Sequence, residues 1–117
     1  MRRILNFVDG RLVPASGRRW LDNVEPASGR VYSRLPDSDA RDVDAAVSAA
    51  ARAFPRWSAT PAAERSRLLL RLAELIEAES PRLARAESVD TGKPLALARA
   101  VDIPRAAANF RFFATAI

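Results

Sequence analysis

The side chains of this chain that could do chemistry are carboxylates and one lysine. Glu74 and Glu77 are three residues apart, a spacing that makes helical side chains neighbours and could pair a general acid with a base. Yet they lie on the polar side of a segment whose other side is leucine, with Arg71 close by. A solvated helix face is therefore the favoured interpretation for all the candidate carboxylates: Glu74, Glu77, Glu79, Glu87 and Asp90.

Lys93 stands beside a glycine in the run Asp90-Thr-Gly-Lys-Pro-Leu95. A phosphate-binding P-loop requires a longer glycine spacing, a serine or threonine after the lysine, and a position at the start of a helix. Here the run follows a helical pattern that Gly92 can end in a left-handed conformation and Pro94 prevents from continuing. We expect Lys93 to lie at a helix end or on the surface.

The chain contains no cysteine and no histidine. A thiolate nucleophile, a disulfide framework and a cysteine-based metal site are therefore excluded within these residues. The usual general base near neutral pH and the commonest zinc ligand are absent as well. The sequence thus predicts no catalytic residue in this chain.

The formal net charge is +5 and the isoelectric point is about 11.1, which raises the possibility of nucleic-acid binding. The arginines are scattered among alanine-rich segments, and on a helix Phe110 and Phe113 would face a core together, so we expect no nucleic-acid partner. The basic start lacks the apolar region of a signal peptide, and the longest leucine run, 68–70, cannot span a bilayer. We expect no membrane partner and a cytoplasmic location.

The N-terminal third has the pattern of two strand pairs. Short apolar runs flank Asp9-Gly10, a dipeptide that favours a type I′ hairpin turn. Strands at 20–24 and 30–35 flank a turn in which Pro26 and Gly29 suit the early and late positions. Both pairs are predicted to be antiparallel hairpins.

Helical patterns fill the rest of the chain. One helix is predicted to begin with Ser38 or Asp39 as its cap and to end at Pro55. Thr60-Pro61 and Ser80-Pro81 each combine a cap with an early proline, and a further helix is predicted to begin at Asp102 and Pro104. Their apolar stripes predict core packing; the stripes are 43, 46, 47, 50 and 54, then 68, 72, 75 and 76, then 110 and 113.

Several of these motifs together resemble the N-terminal region of the aldehyde dehydrogenase superfamily. They are the Asp-Thr-Gly-Lys-Pro-Leu run, the Asp102-Ile103 pair ten residues after Gly92, and the run Asn-Phe-Arg-Phe-Phe-Ala at 109–114. The turn at 23–29 is also similar, although Glu25 and Ser28 replace the family's asparagine and threonine. Within the superfamily the likeness is to the 2-aminomuconate and 2-hydroxymuconate semialdehyde dehydrogenases.

The resemblance implies an α/β fold with N-terminal β-hairpins and helices of an incomplete cofactor-binding domain. Residues 1–117 would be the N-terminal part of an NAD-binding domain, without the catalytic and oligomerisation parts. The parent would oxidise a small-molecule aldehyde with NAD and form a homodimer or homotetramer. No Gly-rich cofactor loop follows a predicted strand here, so no cofactor-binding residue is expected and this chain alone is predicted to be inactive.

Two further interpretations follow. The resemblance implies a structural alkali cation held by the backbone carbonyl of Val24 and the carboxylate of Asp102, which are suitable oxygen ligands. The alternative for Asp102 is that it only caps the helix beginning at Pro104. The alternative for the whole chain is a free-standing small helical binding or regulatory module without catalysis, which should unfold cooperatively.

Overall fold

All the strands lie in the first 36 residues, and helices occupy most of the remainder. The computed structural model describes residues 1–117, which divide into two units, Met1–Ala59 and Thr60–Ile117. The predicted α/β fold class is confirmed. The elements are β1 (Arg2–Arg3), β2 (Asn6–Val8), β3 (Arg11–Val13), β4 (Trp20–Glu25), β5 (Arg30–Pro36), α1 (Ala40–Ser58), α2 (Ala62–Ala78), α3 (Ser80–Thr91), α4 (Leu95–Leu97) and α5 (Ile103–Ala116).

The first hairpin pairs β2 with β3 in antiparallel register, with Phe7 opposite Leu12. Asp9 and Gly10, the two turn residues, have φ values of 52° and 74°. Positive φ at both central positions is the signature of a type I′ turn, whose twist matches that of the flanking strands. The predicted hairpin is confirmed.

The second hairpin pairs β4 with β5, also antiparallel, and its register shifts between Asn23 and Val24. Gly29 closes the turn with a φ of 67°, and its amide donates to the carbonyl of Glu25 at 2.8 Å. This prediction is confirmed too. Sequence analysis missed β1, which pairs parallel to β5, because a two-residue strand is too short to show an alternating pattern.

Helix α1 begins at a capping box. The Asp39 side chain accepts from the Arg41 amide, and the Asp42 side chain accepts from the Asp39 amide, so backbone donors that the helix leaves free are satisfied. The predicted end at Pro55 is wrong, because the helix continues to Ser58. Proline lacks an amide donor and its ring crowds the preceding turn, but the Pro55 carbonyl still accepts from the Ser58 hydroxyl at 3.1 Å and from the Ala59 amide at 3.4 Å, so the last turn is completed.

The predicted caps of the next two helices are also wrong. Helix α2 begins only at Ala62, with Pro61 rather than Thr60 at the cap position and no side-chain capping bond. In α3 the cap position is Glu79, and Ser80 is already the first helical residue. The end of α3 is as predicted, since Gly92 adopts a left-handed conformation with a φ of 76°.

Helix α4 continues into α5 through one widened turn, Ala98–Asp102. The amide of Ile103 donates to the carbonyl of Ala98, five residues earlier, which defines a π-helical turn. The predicted helix is confirmed from Ile103, with Pro104 in its first turn, but the predicted cap at Asp102 is wrong. Asp102 has helical φ and ψ of −67° and −50° and makes no capping bond.

Alanines form most of the buried residues. In the second unit these are Ala73, Ala84, Ala98, Ala107 and Ala114, each 0–1% exposed. Helix α2 packs against α5, and α3 packs against the turn that precedes α5. Small side chains allow helix backbones to approach closely. The helix contacts are therefore lined by alanines and not by the larger apolar residues.

The apolar stripes that were predicted to be core are largely exposed. Val43, Val47 and Phe54 of α1 are 58–64% exposed, and the prediction that they form a core is wrong within this chain. In the predicted stripe of α2, Leu68, Leu72 and Leu75 are 39–51% exposed, whereas Ile76 is half-buried. The buried residue of this helix is Ala73, and α2 packs against α5. None of the helices is both long and apolar enough to cross a bilayer.

Candidate functional site

The most enclosed cluster of charged side chains surrounds Lys93. Its Nζ donates to Oδ2 of Asp102 at 2.7 Å and lies 3.6 Å from Oε1 of Glu87. All three side chains are about one-third exposed. The cluster connects the C-terminal end of α3 with the widened turn before α5.

Local hydrogen bonds fix the backbone of Lys93. The Ser88 hydroxyl donates to the Lys93 carbonyl at 2.7 Å, and the Lys93 amide donates to Oγ1 of Thr91 at 3.2 Å. Gly92 turns the chain in the left-handed conformation immediately before it. These bonds satisfy the amide and the carbonyl of Lys93, which lies just beyond α3, and hold the residue from which the side chain reaches Asp102.

The electrostatics of the cluster favour the charged form of Lys93. The hydrogen bond to Asp102 raises the pKa of the Lys93 ammonium, and Glu87 adds to this effect, whereas partial burial opposes it. Because an amine must lose its proton before it can act as a base or nucleophile, Lys93 is unsuited to either role at neutral pH. The cluster is an ion-paired connection between elements, with Lys93 at a helix end as predicted.

The residues predicted to hold an alkali cation lie in different units. Val24 is in β4 at the register shift, and Asp102 ends the widened turn. Oδ2 of the Asp102 carboxylate accepts from Lys93, which leaves the second carboxylate oxygen as the one a cation would use. No group of three or more aspartates and glutamates is placed to hold a metal ion. The cation at Val24 and Asp102 stays a prediction.

The candidate carboxylates of α2 pair with arginines. Glu74 accepts from Arg71 at 3.0 Å on the same helix, and Glu77 accepts from Arg111 of α5. These pairs are largely exposed. The interpretation as a solvated helix face, with Arg71 as neighbour, is confirmed, and the Glu77–Arg111 pair adds a link between two helices.

A cleft of about 370 Å³ lies beside this link. Sequence analysis missed it because its walls come from segments far apart in the chain, and no local pattern marks such a place. Its only charged lining groups are Glu77 and Arg111, which neutralise each other. The cleft is lined by Glu77, Ser80, Ile103, Pro104, Ala108 and Arg111.

The aromatic residues of α5 do not form the predicted core stripe. Phe113 is 58% exposed and Phe112 is 65% exposed, and their rings meet edge to face with centroids 5.3 Å apart. The packed side of α5 instead carries Ala107 and Ala114. The pairing of Phe110 with Phe113 in a core is therefore wrong.

Comparison with known proteins identifies the family. The model of the aldehyde dehydrogenase family matches residues 12–117. The chain belongs to the aldehyde dehydrogenase family. It is 50% identical to a 2-aminomuconic semialdehyde dehydrogenase of Danio rerio over 96% of this chain and 23% of that protein.

Solved structures agree with this membership. The crystal structure of PnpE from Pseudomonas sp. WBC-3 is 48% identical, with a TM-score of 0.94 over 99% of this chain and 24% of that one. A structure of PnpE in complex with nicotinamide adenine dinucleotide is 49% identical, with a TM-score of 0.94 over 98% and 23%. The resemblance found in the sequence is confirmed, and the chain spans about a quarter of the length of the relatives it matches.

Proposed function

We propose that this chain is the N-terminal part of an NAD-dependent aldehyde dehydrogenase that oxidises a muconic semialdehyde to the carboxylic acid. The observation that carries the proposal is the 50% identity to a 2-aminomuconic semialdehyde dehydrogenase over nearly the whole chain. The NAD-bound relative, PnpE, supports NAD in preference to NADP. The complete enzyme would act in the cytoplasm as a homodimer or homotetramer, without a nucleic-acid or membrane partner.

We infer that the residues of this chain contribute to the structure of the enzyme and take part in no chemical step. Without a cysteine or a histidine, the chain lacks a thiolate nucleophile for covalent attack on the aldehyde and a histidine to activate another nucleophile. Lys93 remains protonated, and Glu74 and Glu77 are paired with arginines. We therefore infer that residues 1–117 alone have no dehydrogenase activity.

Exposed apolar side chains support an unfinished assembly in preference to a free-standing helical module. Phe54 of the first unit and Leu68, Leu75 and Phe113 of the second are all 46–64% exposed, and exposed apolar surface of this kind marks contact sites or a tendency to aggregate. A free-standing module would be expected to bury such residues. We propose that further parts of the enzyme cover them.

The test begins with the DNA that follows the Ile117 codon. If the reading frame continues, the complete product and the 117-residue chain are purified and assayed by the formation of NADH from NAD. The substrates are 2-aminomuconic semialdehyde, 2-hydroxymuconic semialdehyde and acetaldehyde. We expect activity only in the complete product, with the highest kcat/KM for a muconic semialdehyde.

Three outcomes would count against the proposal in different ways. A preference for acetaldehyde would overturn the substrate class and leave the family membership intact. NADH formation by the 117-residue chain would overturn the inference that it is inactive. A stop codon after Ile117, together with a cooperative melting transition of the chain alone, would favour the free-standing module.

A further inference from the structure

The helical segment from Leu95 to Ala116 contains, near its start, one residue more than regular α-helical turns would hold. At Ala98–Asp102 the turn is widened, and the Ile103 amide donates to the Ala98 carbonyl instead of to Arg99. An α-helix advances by about 100° per residue. The extra residue therefore rotates everything in α5 by about that angle relative to a continuous α-helix that begins at Leu95.

This rotation allows two different contacts to be made at once. Ala98 is fully buried in the turn that packs against α3, whereas Ala107 and Ala114 are buried in α5, which packs against α2. Without the extra residue, the two alanines of α5 would point about 100° away from their present direction. Arg111 would move away from Glu77 for the same reason.

A π-helical turn is rare and has poorer hydrogen-bond geometry than an α-helical one, so another interaction must favour it. Asp102 is the last residue of the turn, and its carboxylate accepts from Lys93 at 2.7 Å. Lys93 itself is fixed to the end of α3 through Ser88 and Thr91. Its ammonium is thus a fixed point at the end of α3, and the hydrogen bond to Oδ2 orients the Asp102 side chain towards it.

We propose that the Lys93–Asp102 ion pair is a register lock, which holds the widened turn and so sets the rotation of α5. The lock transmits the position of the α3 end to the face that α5 presents to α2. Glu87, 3.6 Å from the same ammonium, adds a second carboxylate that holds the ammonium at the end of α3. Loss of the lock leaves the continuous α-helix as the favoured register.

The experiment rests on the proposed function, because it uses the complete enzyme, in which the apolar side chains left exposed here are covered, and compares crystal structures of its variants. The variants Lys93→Met and Asp102→Asn each remove one charge while keeping a side chain of similar size. Arg82→Met is the matched control, because it removes the cation from an exposed ion pair of the same unit, with Glu79. The measurements are the hydrogen-bond partner of the Ile103 amide and the contact between the side chains of Arg111 and Glu77.

The wild type and Arg82→Met should keep the bond from Ile103 to Ala98 and the Arg111–Glu77 contact. Lys93→Met and Asp102→Asn should show Ile103 bonded to Arg99 and lose the contact. The proposal is overturned if both variants keep the widened turn, or if the wild type lacks it.

A charge exchange separates the lock from simple loss of folding. If the single variants fail to fold, the double variant with Lys93→Asp and Asp102→Lys is measured, since the exchanged pair has the same combined reach. Recovery of the fold with the Ile103 to Ala98 bond supports the lock. A double variant that stays unfolded, or that folds without this bond, contradicts it.

Discussion

Different kinds of interaction stabilise each of the two units of this chain. Met1–Ala59 is organised by turns and by side chains that bond to nearby backbone, such as Asp39, which accepts from the Arg41 amide at 3.0 Å. Thr60–Ile117 is organised by buried alanines and by ion pairs between elements, such as Lys93–Asp102. The first unit depends mainly on local conformation and the second on packing.

This difference teaches where each unit should be sensitive. Conformational strain at a turn should damage the first unit most, because few large side chains are buried there. Added volume between helices should damage the second unit most, because its interior has no room for larger residues. Four measurements can break or sharpen this comparison.

The largest effect is expected from Ala107→Leu. Ala107 is 1% exposed on the side of α5 that packs against α2, and overpacking a buried site costs about 1–3 kcal/mol. Urea unfolding followed by circular dichroism measures the loss. Ala116→Leu, at an exposed position of the same helix, should change stability little, and equal losses in both variants would show that α5 is not packed by its alanines.

The next effect is expected from Gly10→Ala. The φ of Gly10 is 74°, and no atom lies within 4 Å of an added Cβ, so the cost of about 1–2 kcal/mol comes from the left-handed backbone alone. Gly17→Ala is the control, because its φ is not in that region and its neighbours are at ordinary contact distance. If both variants unfold at the same urea concentration, the type I′ turn does not stabilise the first unit.

A smaller effect is expected from acid. The hydrogen bond with Arg41 lowers the pKa of Asp39, and the hydrogen bond from the Ser16 hydroxyl lowers the pKa of Asp42. Carboxyls with a lowered folded-state pKa stabilise the fold above their ordinary pKa, and this contribution is lost as pH falls through the folded-state value. The urea concentration at the midpoint of unfolding should therefore decrease when the pH is lowered below about 4.

The acid effect has a variant and a control. Asp39→Asn should have a lower midpoint than wild type at neutral pH and a flatter dependence on pH, because the ionisable group is gone. Asp44→Asn, in the same helix, should keep the wild-type dependence. An Asp39→Asn profile parallel to that of the wild type would show that the capping box contributes nothing to acid sensitivity.

The smallest effect is expected from Arg71→Gln. This arginine forms an exposed pair with Glu74 three residues away, and such pairs contribute about 0.2–0.5 kcal/mol. The difference should vanish at high salt, where exposed charges are screened. A loss as large as that of Ala107→Leu would mean that surface pairs, and not packing, hold the second unit.

Turn chemistry made the first unit the more predictable of the two. Asp9, Gly10 and Gly29 were assigned from sequence because only a few residue types adopt positive φ readily. The end of α3 at Gly92 followed from the same reasoning. The predicted end of α1 at Pro55 is wrong because a proline near a helix end disturbs one turn and need not end the helix.

The sites of the second unit were less predictable. In the sequence of α2 the leucine stripe is the visible apolar pattern, yet the buried residue is Ala73, and α2 packs against α5. The link between Glu77 and Arg111 joins residues 34 positions apart, and no periodic pattern reports such a pair. Lys93 is predicted at a helix end, but its partner Asp102 is predicted either to bind a cation or to cap a helix.

The sequence by itself determined the family, the α/β class, both hairpins and the absence of a cysteine nucleophile. These follow from residue identities and from backbone preferences that act over a few positions. Only the tertiary structure decided which helix faces pack, where Lys93 points and that the turn before α5 is widened. Those features depend on contacts between segments distant in sequence, where the close fit of small alanines and the pairing of charges outweigh local patterns.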